Sequence, residues 1–448
     1  MANSYLARTV TSAESPTKIT WSVWVKRCEL ARTQRIVSSS LSNYQTYWRF
    51  SSSDQLNIWT QDGSGNAAFG FNTNRQFRDT NSWYNIVMSV DTTQSTESDR
   101  LKIWVNGVQE TSFSQSDYPS QNETIGLFGS TSSVVEIGRY SGNTTEFYNG
   151  YLSHLVITPG YAYANTDFGS FDSTSGIWKF KSPTLANWGT NGVHLKFENS
   201  GNLGLDSSGN SNNYSVNGDL RQALDTPSNV YATFNPLSNN TANGSWLKGN
   251  TGYTTGANAW RTAFTTMGAS SSKWYCEMKY ISGDNQMFGI FSLDERNKVN
   301  NVGYVGDNTL GNRAVGLAKP GNIYINGSNS NYTGGSNTSW TTGDIIMIAL
   351  DRDNNKVYFG KNGTWMGSGD PTSGSTGTGA ISFSTEAHES WGFATSVYSS
   401  TSDTNFGNGY FGTTAISSAG SNGNGSLFEY DVPSGYYALN TKNINTYG

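Results

Sequence analysis

The sequence predicts an all-β protein of two sandwich domains, and three observations lead there. Trp340 to Trp365, WTTGDIIMIALDRDNNKVYFGKNGTW, reads as strand, tight turn, strand and turn. Trp83 to Val108, WYNIVMSVDTTQSTESDRLKIWVNGV, repeats that plan in the other half. Of 448 residues, 50 are Gly and only 14% are charged, while Trp 14, Tyr 25 and Phe 21 supply aromatic mass for cores. Gly, Asn and Ser provide the special backbone angles of many tight turns, and the length exceeds what one ordinary core holds.

Ile345 to Leu350 is a short apolar run rich in β-branched residues, as in a strand covered on both faces. Asp351 to Asn355 is turn chemistry. Val357 and Phe359 then face one way, Lys356 and Tyr358 the other, and Asn362-Gly363 supplies the positive-φ pair of a two-residue hairpin. In the echo, Leu101, Ile103 and Val105 alternate and close on Asn106-Gly107.

In chain order, ITWSVWV opens the first half, with Ile19, Trp21, Val23 and Val25 on one face and Trp24, Lys26 and Cys28 opposite. Tyr44 to Phe50, Leu56 to Trp59 and Ala68 to Phe71 follow as short strands, then the Trp83 unit, Ser133 to Ile137, and FYNGYLSHLVI from Phe147 to Ile157. An aromatic turn, PGYAYAN, comes next. These residues resemble a laminin-G-like, concanavalin-A-like jelly roll. WSVWVKR is similar to that family's "WVK" strand, WYNIVMSVD to "WHHVAVT", LKIWVNGV to "LYVDG" and FYNGYLSHLVI to "F.G.ID.V.I", in matching order over residues 17 to 160. One segment departs from the pattern: His194 to Gly218 is similar to a stretch that in many members precedes the first strand. First and last strands of a jelly roll can be neighbours, so the first domain is expected to span residues 1 to 222.

DTPSNVYATFNPLSNN carries two of the nine prolines without periodicity, so residues 223 to 245 are read as a linker. Trp274, Cys276, Met278 and Tyr280 then alternate against Tyr275, Glu277 and Lys279, and Phe288 to Leu293, Val315 to Leu317, Ile323 to Ile325 and Trp391 to Val397 supply further strands. This half, residues 246 to 448, resembles a SPRY domain. KWYCEMKY is similar to its "WYFEV" strand, GDIIMIALDRDNNKVYFGKNGTW to "GDVIGVALD...KIYFYKNG", and SVYSSTSDTNFGN to its closing "V.VNFG". SPRY domains are also concanavalin-A-like, so the resemblances imply two such jelly rolls joined by a short linker. LDSSGNSNNYSVNG, DTPSNVYATFNPL and VPSGYYALNTKNIN further resemble structural proteins of tailed phages.

A net charge of -5 spread over the chain leaves no basic stripe, which argues against nucleic acid as a partner. Two cysteines are neither a zinc site nor a disulfide framework, and Cys276 is expected to be a buried, inert thiol. No run nears the roughly 18 apolar residues of a membrane span, and the N-terminus has no signal pattern. The protein is therefore expected to be made in a host cytoplasm, without membrane insertion. The Asn-X-Ser/Thr sites, such as Asn143 and Asn331, are attributed to composition.

A retaining glycoside hydrolase on this fold needs two carboxyl groups about 5 Å apart. Glu97-Ser98-Asp99 lies in a turn, and Asp294-Glu295 puts neighbours on opposite faces of a strand. His154, His194 and His388 accompany no Gly-x-Ser-x-Gly elbow, and His154 is read as a hydrogen-bonded structural residue. GNGYFG, Gly407 to Gly412, lacks the following helix of a phosphate loop. No catalytic residue is assigned. Asp206, Asn210 and Asn212 place oxygens at alternate positions, as Ca²⁺ ligands or as turn caps. Tyr161, Tyr163, Trp246 and Trp365 sit on turns, where their rings either pack on sugars or close sandwich ends.

The expected role is a non-enzymatic virion structural protein of a tailed phage, displayed on a tail fibre, appendage or capsid surface and binding host-surface glycans. A polysaccharide-degrading enzyme and a purely scaffolding subunit are the alternatives. Expected partners are other virion proteins. A homo-oligomer is also expected; no heptad run marks a trimeric stalk, and an exposed edge strand can join subunits.

Overall fold

The computed structural model describes residues 4–239, 244–295, 303–332 and 339–448. The chain divides into two compact units, Met1–Gln222 and Ala223–Gly448, and each is all-β.

Unit 1 contains β1 (Tyr5–Thr9), β2 (Lys18–Arg27), β3 (Gln34–Ser39), β4 (Thr46–Phe50), β5 (Gln55–Gln61), β6 (Ala67–Gln76), β7 (Tyr84–Asp91) and β8 (Leu101–Val105). It continues with β9 (Val108–Gln109), β10 (Phe113–Asp117), β11 (Val134–Ile137), β12 (Gly150–Pro159), β13 (Gly169–Phe171), β14 (Trp178–Phe180), β15 (Val193–Leu195) and β16 (Ser215–Asn217). One sheet runs β10-β6-β5-β4-β3-β11-β1-β16 and the other β15-β12-β2-β7-β8-β9. Their inner faces share one core, in which Trp21 of β2 stacks on Trp48 of β4 at 5.6 Å. Alternation accounts for it: Ile19, Trp21, Val23 and Val25 enter the core together. Trp24, Lys26 and Cys28, on the opposite face, are buried too. Residues beyond β12 form an outer layer on that sheet, with Phe168 packed on Val87 and Val156. The last strand returns to the first, Ser215–Asn217 pairing antiparallel with Tyr5–Ala7.

In unit 2 the Lys273–Ser292 strand joins what the sequence suggests as two strands. Its first part pairs with Ile345–Asp351, its second with Ala314–Ala318, and Trp391–Asn405 runs along both parts with a register shift at Tyr280/Ser282. Ile345–Asp351 is buried throughout, with Ile346, Ile348 and Leu350 in the main core and Met347 and Ala349 in a second cluster. Cys276 is buried beside Trp274 and Met278, and burial pushes its thiol well above the usual range. Asn106-Gly107 and Asn362-Gly363 have the expected positive φ, 47° and 78° in the first and 48° and 86° in the second.

Residues 223–239 belong to unit 2 rather than to a linker. Phe234–Asn239 pairs with Arg261–Thr265, Ala232 and Phe234 lie in the core, and Tyr231 is buried in the second cluster. Phe234 meets Phe406 edge-on at 5.3 Å, and the Asn408 side chain accepts hydrogen bonds from the Leu224 and Asp225 N–H groups. Two prolines and missing periodicity marked an edge, whose apolar residues are too few to show a period. Residues 240–243 of this stretch lie outside the described residues.

Candidate functional site

The outer face of the eight-stranded sheet in unit 1 carries aromatic and amide side chains in two rows that run across the strands. Registers place Asp117, Gly70, Trp59, Tyr47 and Ser38 opposite one another on β10, β6, β5, β4 and β3. The next row is Gln115, Asn72, Asn57, Arg49 and Arg35. Directly paired residues share a face. A bulge on β3 lets Ile36 and Val37 both enter the core while Arg35 stays outside. Trp59 and Tyr47 are half-buried, and Gln115 and Asp117 are exposed.

Planar groups along this face stack into a ladder. Trp59 lies on Tyr47 at 5.6 Å and 22°, Arg49 and Arg35 sit 4.3 and 4.8 Å from the Tyr47 ring, and Arg35 lies 3.7 Å from Tyr140. Cation–π contacts contribute about 0.5–1 kcal/mol each at exposed sites and hold the rings in fixed orientation. Gly70 lets Trp59 lean across β6, because a Cβ there would stand 3.3 Å from the indole and 3.1 Å from the Gln115 amide. Carboxylates on this face are engaged: Glu146 with Arg35 at 2.5 Å, Glu136 with Arg139 at 2.6 Å, and Asp117 with the Gln115 amide at 2.5 Å. The chain from Arg139 to Ser141 crosses over Ser38, which donates to the Arg139 carbonyl and accepts from the Ser141 N–H. Arg139 also covers the Tyr5 ring at 3.5 Å.

The face thus presents a stacked aromatic pair bordered by amides. Residues 2–160 match the Laminin_G_3 family, the concanavalin A-like lectin/glucanases superfamily. No curated protein matches the chain. Among solved structures, the SPRY domain of human HERC1 is similar at 16% identity, over 38% of this chain and 96% of that one, with a TM-score of 0.28. A heptameric SAP-like pentraxin from Limulus polyphemus is 17% identical over 36% of this chain and 71% of that chain, with a TM-score of 0.27. Domains LG4-5 of the mouse laminin alpha1 chain are 8% identical over 88% of this chain and 78% of that chain, with a TM-score of 0.29.

At the far edge of the same sheet of this laminin-G-like unit, a groove of about 570 Å³ opens between β1 and residues 210–217. The three oxygen-bearing residues of the sequence, Asp206, Asn210 and Asn212, lie at this edge but do not converge as Ca²⁺ ligands. Oδ1 of Asp206 accepts from the His194 and Ser208 N–H groups, and Oδ2 accepts from Ser208 Oγ and the Asn212 N–H. Asn212 Oδ1 accepts from Arg8 at 2.6 Å, and Asn210 Nδ2 donates to the Gly189 and Gly192 carbonyls. Donors occupy the carboxylate and a guanidinium stands alongside, an arrangement that repels a cation. Among the described residues no group of three or more His, Cys, Asp or Glu could hold a metal.

The turn-borne aromatics divide between the two units. Tyr163 packs in the outer layer, and its hydroxyl bridges the Asn187 backbone; Tyr161 stacks on it at 6.1 Å and is more exposed. Thr20 Oγ1 ties both to β2, donating to the Tyr161 carbonyl and accepting from the Tyr163 N–H. In unit 2, Trp246 packs on Tyr253 at 4.5 Å against the main core, and Trp365 packs on the second cluster. Tyr163, Trp246 and Trp365 are each partly buried against a hydrophobic cluster. Sequence reasoning passed over Trp59 and Tyr47 although a signal was present. In QLNIWTQ and TYWRF both sit at the polar parity of an alternating strand, where a ring has no core to enter.

His154 Nδ1 and His194 Nε2 are 3.1 Å apart. Burial first, then Lys196, holds the His154 imidazole down at about 4, and burial, then His154, holds His194 at about 3. Glu97 and Asp99 lie on an exposed turn, as expected.

Proposed function

We propose that this chain is a non-enzymatic structural protein of a tailed-phage particle, carried on a tail fibre, appendage or capsid surface. We further propose that unit 1 attaches to host-surface glycans across the outer face of its eight-stranded sheet. The cross-strand row of Trp59 and Tyr47, beside Asn57, Asn72 and Gln115, carries the reading. Pyranose rings pack their C–H faces on aromatic planes, and amide side chains bond the flanking hydroxyls. The family match of residues 2–160 supports a carbohydrate ligand, and the phage-like phrases support the particle. The non-catalytic reading is supported by the engagement of Glu136, Glu146 and Asp117 with neighbouring donors.

Glycan-array binding by the whole chain, weakened at least about tenfold by Trp59→Ala with the fold unchanged by circular dichroism, is the expected result. Array silence together with persistent assembly would replace attachment by scaffolding, and release of reducing ends from a host glycan would replace it by hydrolysis. Mass spectrometry of purified particles should find the protein at fixed stoichiometry, and its absence would refute the particle assignment.

A further inference from the structure

Among the described residues, the groove between β1 and residues 210–217 has a single charged wall residue, Arg8, on the inward-facing parity of β1. Arg8 is 8% exposed, and its partners among the described residues are the neutral amides of Asn191 at 3.1 Å and Asn212 at 2.6 Å. The carboxylates of Glu14 and Asp206 bond those two residues rather than the guanidinium. Among the described residues Nη1 is buried without a hydrogen bond of good geometry, and the Tyr214 hydroxyl lies beside the guanidinium without neutralising its charge. A guanidinium keeps its charge at every ordinary pH, and a buried charge without a counter-ion is costly. The rest of the wall is hydroxyl and amide, including Thr9, Ser211, Asn213, Ser215 and Asn217.

We propose that this groove is a subsite for the carboxylate of an acidic sugar, such as a uronic or sialic acid. The anion supplies the compensation that Arg8 lacks, and the hydroxyl and amide wall bonds the sugar's hydroxyls. The inference rests on the glycan reading above and narrows it to acidic glycans. It places the acidic residue on the β11-β1-β16 side of the sheet, while Trp59 stacks a neighbouring ring on β5.

Calorimetric titration of the whole chain at low ionic strength, with trigalacturonate and sialyllactose against their carboxyl-reduced or asialo counterparts, tests it. The expected result is that at least one acidic probe binds about tenfold or more tightly than its neutral counterpart, with an advantage that fades as salt is added. Ala7→Trp, at an outward position on the groove floor opposite Ser215, should remove that advantage with the fold intact. Arg8→Gln should do the same, but Arg8 also ties Asn191 and Asn212 to the edge, so Ala7→Trp decides if that variant fails to fold. Equal affinity for acidic and neutral probes, or indifference to Ala7→Trp, overturns the subsite. If neutral glycans bind and Trp59→Ala abolishes their binding while acidity confers nothing, the subsite falls and the glycan reading stands. If no carbohydrate binds, both fall.

Discussion

Both units set an Asn-Gly hairpin turn beneath an aromatic ring from a later segment of chain, but they anchor that segment differently. In unit 1, Gly107 lies under Trp178, whose Nε1 donates to the Asn85 side chain at 2.9 Å. In unit 2, Gly363 lies near Tyr430, and the covering segment is held by Glu277, which accepts from the Glu429 and Tyr430 N–H groups at 2.8 Å. One cover is fastened by a neutral amide, the other by a buried carboxylate. The same layered plan therefore meets different electrostatic conditions.

Substituting the two turn glycines should separate the units most. Gly107→Ala combines a left-handed backbone with a Cβ that overlaps the Trp178 ring, and should cost roughly 3–4 kcal/mol of unit 1 stability. Gly363→Ala meets Tyr430 at 3.1 Å, a tight contact that a shift of a few tenths of an ångström in the ring relieves, and should cost only about 1–2 kcal/mol. Denaturant unfolding of the whole chain would measure both, and equal losses would mean that the Trp178 cover yields freely.

The anchors come next. Glu277→Ala leaves two part-buried N–H groups without an acceptor and should cost roughly 2–3 kcal/mol in unit 2, whereas Asn85→Ala should cost about 1–2 kcal/mol in unit 1. Hydrogen exchange at Glu429 and Tyr430 should accelerate in the first variant alone.

The two units also differ in the sign of their pH dependence. Burial raises Glu277 from 4.5 to about 7, so its contribution to unit 2 is full below about pH 4.5 and is lost as pH rises through about 7. In unit 1, His154 and His194 are lowered from 6.5 to about 4 and about 3, so their contribution is full above about pH 6.5 and is lost as pH falls through those values. Calorimetric scans from pH 5 to 7, above the range in which the lowered carboxyls Asp344, Asp370, Glu389 and Asp431 of unit 2 titrate, should move the two transitions in opposite senses, and Glu277→Gln should flatten the unit 2 trend only. Parallel shifts would contradict the comparison.

Much of this was legible because period-2 alternation and turn chemistry are local. Leu101, Ile103 and Val105, or Trp274, Cys276 and Met278, can face only one way once the strand is recognised, and Asn-Gly fixes where each hairpin turns. Trp24 and Glu277 were legible as lying opposite those cores, but not as buried, because the segments that cover them come from about 150 residues further along the chain. The candidate face was hidden for the same reason. Trp59 and Tyr47 are visible as outward rings in their own strands, but the row that also holds Gly70 and Asp117 exists only through register among four strands.

The amino-acid order alone settled the β class, the strand-turn units and the inward side of each strand, since these follow from neighbours within a few residues. Tertiary structure decided that residues 223–239 belong to the second core, that Asp206 accepts N–H donors in place of a cation, and that Arg8 stands buried between two amides at the wall of a groove. Each of these depends on desolvation and on partners far away in sequence, and no local pattern encodes them.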